Sequence, residues 1–448
     1  MKEQQHIFTN KMLRTLLIPV IFEQVLNSLM GTVDTMMVSN VGSAAISAVS
    51  LVDSINVLVI QAFSALAAGG AILCSQYIGQ KNHEMANKSA RQVLFIITAI
   101  SVAVTALCLL FRVPLLKLIF GKVESDVMTA SQVYFFYTAL SFPFIALYDA
   151  GASIFRSQGN TRGPMTVSVI SNVINIGGNA ALIWGFNMGV AGAATATVVS
   201  QALSGVGCLI VMKRRFPILH LSREEWKWDG KCAVRLCSMG VPMGLQYSIT
   251  AIGSVILQAS VNTLGSQAVA CVTAGSRIGM FFCCPYDAMG STMSTYAGQN
   301  VGARKIRRVS EGLKSCTLLG LLYSAIACLI LCLFGSKIAL LFVSAQEVAI
   351  LGKVQTFLIV NSAFYFPLAL VNIVRFTIQG MGFSMLAVVA GVCEMVARSL
   401  VAFVFVPMFG YIAVCFASPV AWVFADIFLI PAFLYCIRSL QKQESDLS

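Results

Sequence analysis

The apolar residues of this chain come in runs too long for a soluble fold. About 20 residues of helix cross a hydrocarbon core. Twelve runs reach that length, near 13–38, 46–74, 92–111, 130–155, 164–185, 189–212, 238–262, 268–297, 314–335, 353–379, 384–407 and 411–437. A membrane barrel would need strands that alternate apolar and polar residues, and that pattern is absent. In lipid each backbone polar group must be satisfied without water, which leaves helices as the spanning elements. Composition agrees. The chain is 58% hydrophobic and 11% charged, against about 25% charged in a soluble protein.

The formal net charge of +12 would fit a nucleic-acid binder if the basic residues clustered on one surface. They sort by gap between spans instead. Of the thirty Lys and Arg, twenty-two lie at the two termini and in the gaps after even-numbered spans. Among these are Lys213, Arg214, Arg215, Arg223, Lys227, Lys231 and Arg235 between spans six and seven, and Arg304, Lys305, Arg307, Arg308 and Lys314 after span eight. Five lie in the gaps after odd-numbered spans: Arg112, Lys117, Lys122, Lys337 and Lys353. This is the positive-inside asymmetry, with both termini cytoplasmic. The basic excess reports topology, and no nucleic-acid partner is expected.

The N-terminal MKEQQHIFTN is polar, and the first apolar run is too long for the core of a cleaved signal. The fourteen Cys show no paired metal spacing, and Cys in apolar helices behaves as a small hydrophobe. His6, His83 and His220 fall outside the spans, which removes histidine from any intramembrane proton relay. No metal site and no cofactor are expected.

The chain repeats itself. PVIFEQVLNSLMGTVDTMMVSNVGSAAIS begins at Pro19, and PMGLQYSITAIGSVILQASVNTLGSQAVA begins at Pro242, an offset of 223. YIGQ at Tyr77–Gln80 matches YAGQ at Tyr296–Gln299 at offset 219. Phe142-Pro143 matches Phe366-Pro367 at 224, and Gly189 matches Gly410 at 221. The expected organisation is a six-helix lobe over 1–212, a basic cytoplasmic linker over 213–237 and a second six-helix lobe over 238–448. Each half has an even number of spans, so the repeats are parallel, as in carriers that rock around a central site. The expected fold class is an all-α integral membrane protein with twelve transmembrane helices in two parallel lobes.

Asp34 sits where a helix should be inside the bilayer. A carboxylate at the centre of a spanning helix costs about 2.5–3.5 kcal/mol on insertion scales, and such residues usually mark ion or proton paths. Glu23, Asn27, Gly31 and Asp34 recur at i, i+4, i+8 and i+11, which puts them within about an 80° sector of one helix. Span five carries Asn172, Asn175 and Asn179 on one face. Span six opens with GVAGAATATVV, whose small residues let helices approach closely, and Thr197 adds a hydroxyl. A carboxylate among amide and hydroxyl oxygens suits a shared proton or a Na⁺, and the residue types leave both open. At the repeat offsets the second half has Leu257, Cys393, Val396 and Leu400 in these places. Span eleven instead carries Glu394 and Arg398 at i and i+4, the spacing of a structural intrahelical ion pair.

Asp53 in span two and Arg277 in span eight fall one residue apart in the repeat alignment, and are expected to form a gate pair. Pro19 and Pro242 hold matching places near the cytoplasmic ends of spans one and seven, where proline frees a carbonyl and permits a hinge. Met30, Gln246 and Phe281 are candidates to line a substrate cleft.

PVIFEQVLNSLMGTVDTMMVSNVG, YIGQK, FRSQGNTRGPM, NINIGGNAALIWGFNMGVAGAATATVVSQ and the later YAGQNVGA together resemble the multidrug and toxic compound extrusion (MATE) family, over essentially the whole chain. Within it the chain is more similar to the DinF-like bacterial branch. The resemblance implies an antiporter in the cell membrane of a bacterium, expected as a monomer, that exports cationic amphipathic compounds in exchange for H⁺ or Na⁺. It implies that Asp34 is the first-helix acid of a cation site, with Asn175 and Thr197 beside it and the hydroxyl of Tyr134 or Tyr137 nearby. Asn179 departs from the pattern, standing where many members have Asp. Span ten carries no acid and span seven has Gln246 and Leu257, which argues against a cation site in the second lobe. The rival reading is a flippase for a lipid-linked sugar, which needs clustered Arg and Lys in its cleft; only Arg277, Arg375 and Arg398 are available. A membrane enzyme is disfavoured, since no HExxH, nucleophile elbow or phosphate loop appears.

Overall fold

The computed structural model describes residues 10–38, 43–121, 124–215, 228–342 and 348–445. Of the basic residues named above, Lys122, Arg223 and Lys227 lie outside them. Among the described residues eleven helices are long and apolar enough to cross a membrane, and a bent pair makes a twelfth span. In the first half the spans are α1 (Asn10–Val38), α2 (Ser43–Gly79), α3 (His83–Leu110), α5 (Ser125–Ser157), α6 (Arg162–Asn179) continued by a π-helical turn over Ala180–Gly185, and α7 (Gly189–Arg215). A short helix, α4 (Arg112–Phe120), follows α3. In the second half they are α8 (Gly230–Thr263), α9 (Ser266–Gly302), α10 (Ile306–Ala339), the pair α11 (Val348–Ala363) and α12 (Tyr365–Gly380), α13 (Ser384–Leu400) with a π-helical turn over Val401–Phe405 and α14 (Val406–Phe409), and α15 (Tyr411–Ser445).

The repeat read from sequence recurs in backbone detail. The two π-helical turns begin 221 residues apart, and each is followed by a glycine with positive φ, Gly189 (57°) and Gly410 (59°). The helices α2 and α9 end at Gly79 and Gly302, followed by left-handed Lys81 (60°) and Arg304 (56°), so their ends are 223 apart. That corrects one motif pairing. YIGQ closes α2, whereas YAGQ lies four residues, or one helical turn, before the corresponding place in α9. The two motifs are alike in sequence but not equivalent in position.

The prolines show how the membrane interior is kept free of bare carbonyls. Pro143 lies inside α5 without breaking it. Proline has no N–H, so the carbonyl of Ala139 loses its helical donor. Thr105 Oγ1, on α3, donates to that carbonyl at 3.2 Å. In α15, Pro419 strips the carbonyl of Cys415 in the same way, and Asn361 Nδ2 of α11 donates to it at 3.3 Å. Pro367, the repeat mate of Pro143, takes the other course. Span ten bends by 50° between α11 and α12, with Phe364 N donating to the Asn361 carbonyl in a tight turn. Pro19 and Pro242 both lie inside continuous helices.

Contacts divide the chain into two compact units, Ile18–Gly244 and the chain from Leu245 onward together with residues up to Leu17. The division falls inside α8, beyond the linker marked by the basic residues. The first turns of α8 are tied into the first unit. A Cβ on Gly69 of α2 would stand 2.5 Å from the Gly240 Cα, so only two glycines allow this crossing. Asp229 caps α8 by accepting from the backbone N–H groups of Lys231 and Cys232 and pairs with Lys88 at 2.5 Å. Arg235 Nη1 donates to the Tyr77 hydroxyl at 3.1 Å. The α5–α7 crossing is as tight, since a Cβ on Gly205 would meet the Phe144 carbonyl oxygen at 2.6 Å.

Replacing Thr105 with Val should leave the Ala139 carbonyl without its donor and destabilise the protein by about 1 kcal/mol, the scale of interhelical hydrogen bonds in membranes. Thermal unfolding in detergent should show the loss, and Thr105→Ser should restore the wild-type midpoint.

Candidate functional site

The polar stripe of α1 meets polar side chains of α5 and α6. The meeting gives three levels of side-chain contact. At the first, Glu23 Oε1 accepts from Tyr148 OH at 2.9 Å and from Arg156 Nη2 at 3.1 Å, both on α5. At the second, Ser168 Oγ donates to Asn27 Oδ1 at 2.9 Å, and Asn172 Nδ2 donates to the Ser168 carbonyl at 2.8 Å. At the third, Asn179 Nδ2 donates to Asp34 Oδ1 at 2.5 Å and to Asn175 Oδ1 at 3.2 Å. Asn175 Nδ2 then reaches Thr197 Oγ1 at 3.3 Å and Ser200 Oγ at 3.5 Å on α7.

The third level is the candidate cation site. Asp34, Asn175 and Asn179 are all buried. A buried carboxylate in a medium without water needs donors or a counter-charge; here its neighbour is a neutral amide. Orientation of that amide follows from charge. Flipping Asn179 would set two oxygens against each other, so Nδ2 faces Asp34 and Oδ1 is left with no hydrogen-bond donor. Asn172 Oδ1 is left in the same condition. A carboxylate beside a donor-starved amide oxygen is an arrangement that a small cation could join. Asn179 also ends the α-helical part of span five, immediately before the π turn, and π turns often mark functional places in helices.

The structure therefore brings together Asp34, Asn175, Asn179 and Thr197, while Asn172, Asn27 and Glu23 belong to the levels below. It separates the two tyrosines. Tyr134 OH donates to Asp53 Oδ1 at 3.4 Å. Tyr137 packs edge-on against Phe136. Asp53, read from sequence as half of a gate, also accepts from Asn56 Nδ2 at 3.4 Å. Sequence reasoning missed Ser168, Ser171 and Ser200. The serines were legible in part: Ser168, Ser171, Asn172, Asn175 and Asn179 share the i, i+3, i+4 rhythm of one helix face.

In the second half, Leu257 packs against a buried apolar cluster that includes Val261, Val401 and Val406. A buried charge network lies elsewhere. Glu394 pairs with Arg398 at 3.2 Å, as its spacing predicted, and also with Arg375 of α12 at 2.8 Å; Arg375 Nη2 donates to Asn372 Oδ1 at 2.9 Å. Gln246 does not fit a place on a cleft wall. It is 1% exposed, packs against Gly391 and donates to Thr250 Oγ1 at 3.4 Å, so its amide is engaged inside its own unit. Met30 and Phe281 are half-buried. Among the described residues no three His, Cys, Asp or Glu side chains come together as a metal site.

A family model described as MatE matches residues 19–181 and again 242–404. The chain belongs to the MATE family of transporters. The two matched segments start and end 223 residues apart, the offset read between Pro19 and Pro242. Among relatives, the probable multidrug resistance protein YoeA of Bacillus subtilis (strain 168) is 26% identical over 74% of this chain and 73% of that protein. The FAD transporter of Shewanella oneidensis is 24% identical over 82% of this chain and 81% of that protein. Of solved structures, a MATE transporter in complex with MaL6 superposes with a TM-score of 0.90 at 20% identity, covering 97% of each chain. At that identity the likeness speaks for the fold. The MATE chain described here is thus a multi-pass membrane transporter rather than an enzyme.

Replacing Asn179 with Leu, the residue its repeat mate Leu400 carries, should remove the donor to Asp34. Hydrogen bonds to charged groups contribute about 1.5–3 kcal/mol, about 10- to 100-fold in affinity. Without that donor the ionised carboxylate is less well held, so an H⁺-dependent rise in the unfolding temperature of the purified protein should strengthen, whereas a Na⁺-dependent rise, which also loses the Asn179 oxygen, should weaken. An ion response equal to wild type would remove Asn179 from the site.

Proposed function

We propose that this transporter is a secondary antiporter that exports cationic amphipathic small molecules in exchange for H⁺ or Na⁺ at Asp34. The observation that carries the reading is the third level of contact: one buried carboxylate, held by an amide whose own oxygen lacks a donor. In this reading the ion engages Asp34, the α1–α6–α7 contacts rearrange around it, and affinity for the exported cation falls. Coupling follows only if ion and substrate bind the two states differently. No resident cofactor enters the cycle.

The names of curated relatives, several of them multidrug resistance proteins, support the substrate class. The flippase alternative gains nothing from the site, because Arg375 and Arg398, two of its three basic candidates, are engaged with buried Glu394. The charge asymmetry supports both termini on the cytoplasmic side; protease access to an N-terminal tag in right-side-out and inverted vesicles would decide it. A monomer is proposed, to be checked by mass in detergent. The Asp53–Arg277 gate pair stands on the repeat alignment alone. A charge-swapped double variant should recover transport lost in each single variant, and no recovery would discard the pair.

The central test uses protein in liposomes and efflux of a fluorescent cation under an imposed pH gradient, then an imposed Na⁺ gradient. One gradient should drive the wild type, and Asp34→Asn should lose the response. A driven mutant equal to wild type would make Asp34 structural.

A further inference from the structure

Asp287 on α9 is an intramembrane carboxylate with no part in the contacts described so far. Among the described residues its side chain has no hydrogen-bond or ion-pair partner. The buried Arg375 of the same unit is already bound to Glu394 at 2.8 Å and to Asn372 at 2.9 Å. Asp287 stands 21 residues after the start of α9 at Ser266 and 15 before its end at Gly302, about 32 and 22 Å along the axis. A hydrocarbon core about 30 Å thick covers it almost wherever that core lies on this helix. Yet Asp287 is exposed.

An exposed carboxylate at that depth does not face lipid. Charged side chains inside spans face the bundle interior or a water-filled cavity. The rest of the helix face agrees. Between Cys271 and Asn300 the exposed residues are Thr273, Ser276, Arg277, Met280 and Asp287, and they lie within about a 100° sector. Beyond Asp287 the face closes. Ser291 is half-buried, and every residue from Thr292 to Asn300 is buried. Asp287 thus stands at the closed end of an open, largely polar strip. Arg277, the cation of that strip, is ten residues away, about 15 Å, too far to neutralise it.

We propose that Asp287 is the docking carboxylate for the exported amphipathic cation in the second unit. The carboxylate meets the positive charge, and Met280 with half-buried Cys283 on the same face meets the apolar body. A carboxylate without a partner has no structural bond to give up when a cation arrives and none to regain when it leaves. Its repeat mate at offset 223 is Ser64, exposed as well but neutral. The two halves therefore divide their acids: Asp34 aligns with Leu257, and Asp287 with Ser64. In the antiport reading, on which this assignment rests, the coupling ion and the exported cation use different carboxylates.

The test is ethidium binding to the purified full-length chain, followed by fluorescence anisotropy, with the unfolding temperature of each protein measured beside it. Asp287→Asn should bind ethidium about 10-fold more weakly or worse, the loss of one charged contact. Asp287→Ser, which places the repeat mate's residue there, is a second neutral variant should the first fail to fold. Asp287→Glu should keep most of the affinity. The unfolding temperature should not fall in the neutral variants, because the Asp287 side chain holds nothing else in the structure. Neutral variants that bind ethidium as the wild type does overturn the proposal, and they leave the antiport reading standing if an ion gradient still drives ethidium out of liposomes. A wild type that neither binds ethidium nor exports it under either gradient sinks the antiport reading, and the docking role with it.

Discussion

The lack of water in the hydrocarbon core is the constraint from which most of this molecule follows. It forces each span to satisfy its own backbone, hence helices throughout. It also makes each interruption of a helix a local debt of one donor. At Pro143 and Pro419 that debt is met by a side chain of a neighbouring helix, Thr105 and Asn361. At Pro367 it is met by bending the span. Polar side chains inside the spans thus serve the backbone first, which explains why many of them have no part in ion binding.

The same constraint makes the unmet groups informative. Along the α1–α6 seam the buried oxygens Glu23 Oε2, Asn172 Oδ1 and Asn179 Oδ1 have no hydrogen-bond partner. The second half pairs its buried charges instead. Glu394 is flanked by two guanidiniums at 2.8 and 3.2 Å, a network that joins α12 to α13. One fold, repeated, carries a polar seam with unpartnered amide oxygens in one half and an ion-paired cluster and an apolar core in the other.

This asymmetry rests on a backbone that is symmetric in detail, down to paired π turns and paired left-handed glycines. Asn179 and Leu400 occupy the same place, the last α-helical residue before the π turn. The backbone geometry at that point belongs to the fold; the side chain placed there decides whether a polar contact to α1 forms.

The sequence by itself determined the membrane class, the number of spans, the parallel repeat and the place of Asp34 on a polar stripe inside a span. These depend on run length, period and cost of burial, which are local or additive properties of residues. It also marked the Asn stripe, because one helix face is a matter of spacing. Only the tertiary structure decided which oxygen of which amide is left without a donor, that Arg156 and Arg375 come from other helices to meet Glu23 and Glu394, that Tyr134 rather than Tyr137 reaches a carboxylate, and that Gln246 is buried. The reason is physical. Hydrogen-bond partners in these spans lie more than a hundred residues apart, 145 for Asp34 and Asn179, and no periodicity within one helix encodes the rotation of its neighbour.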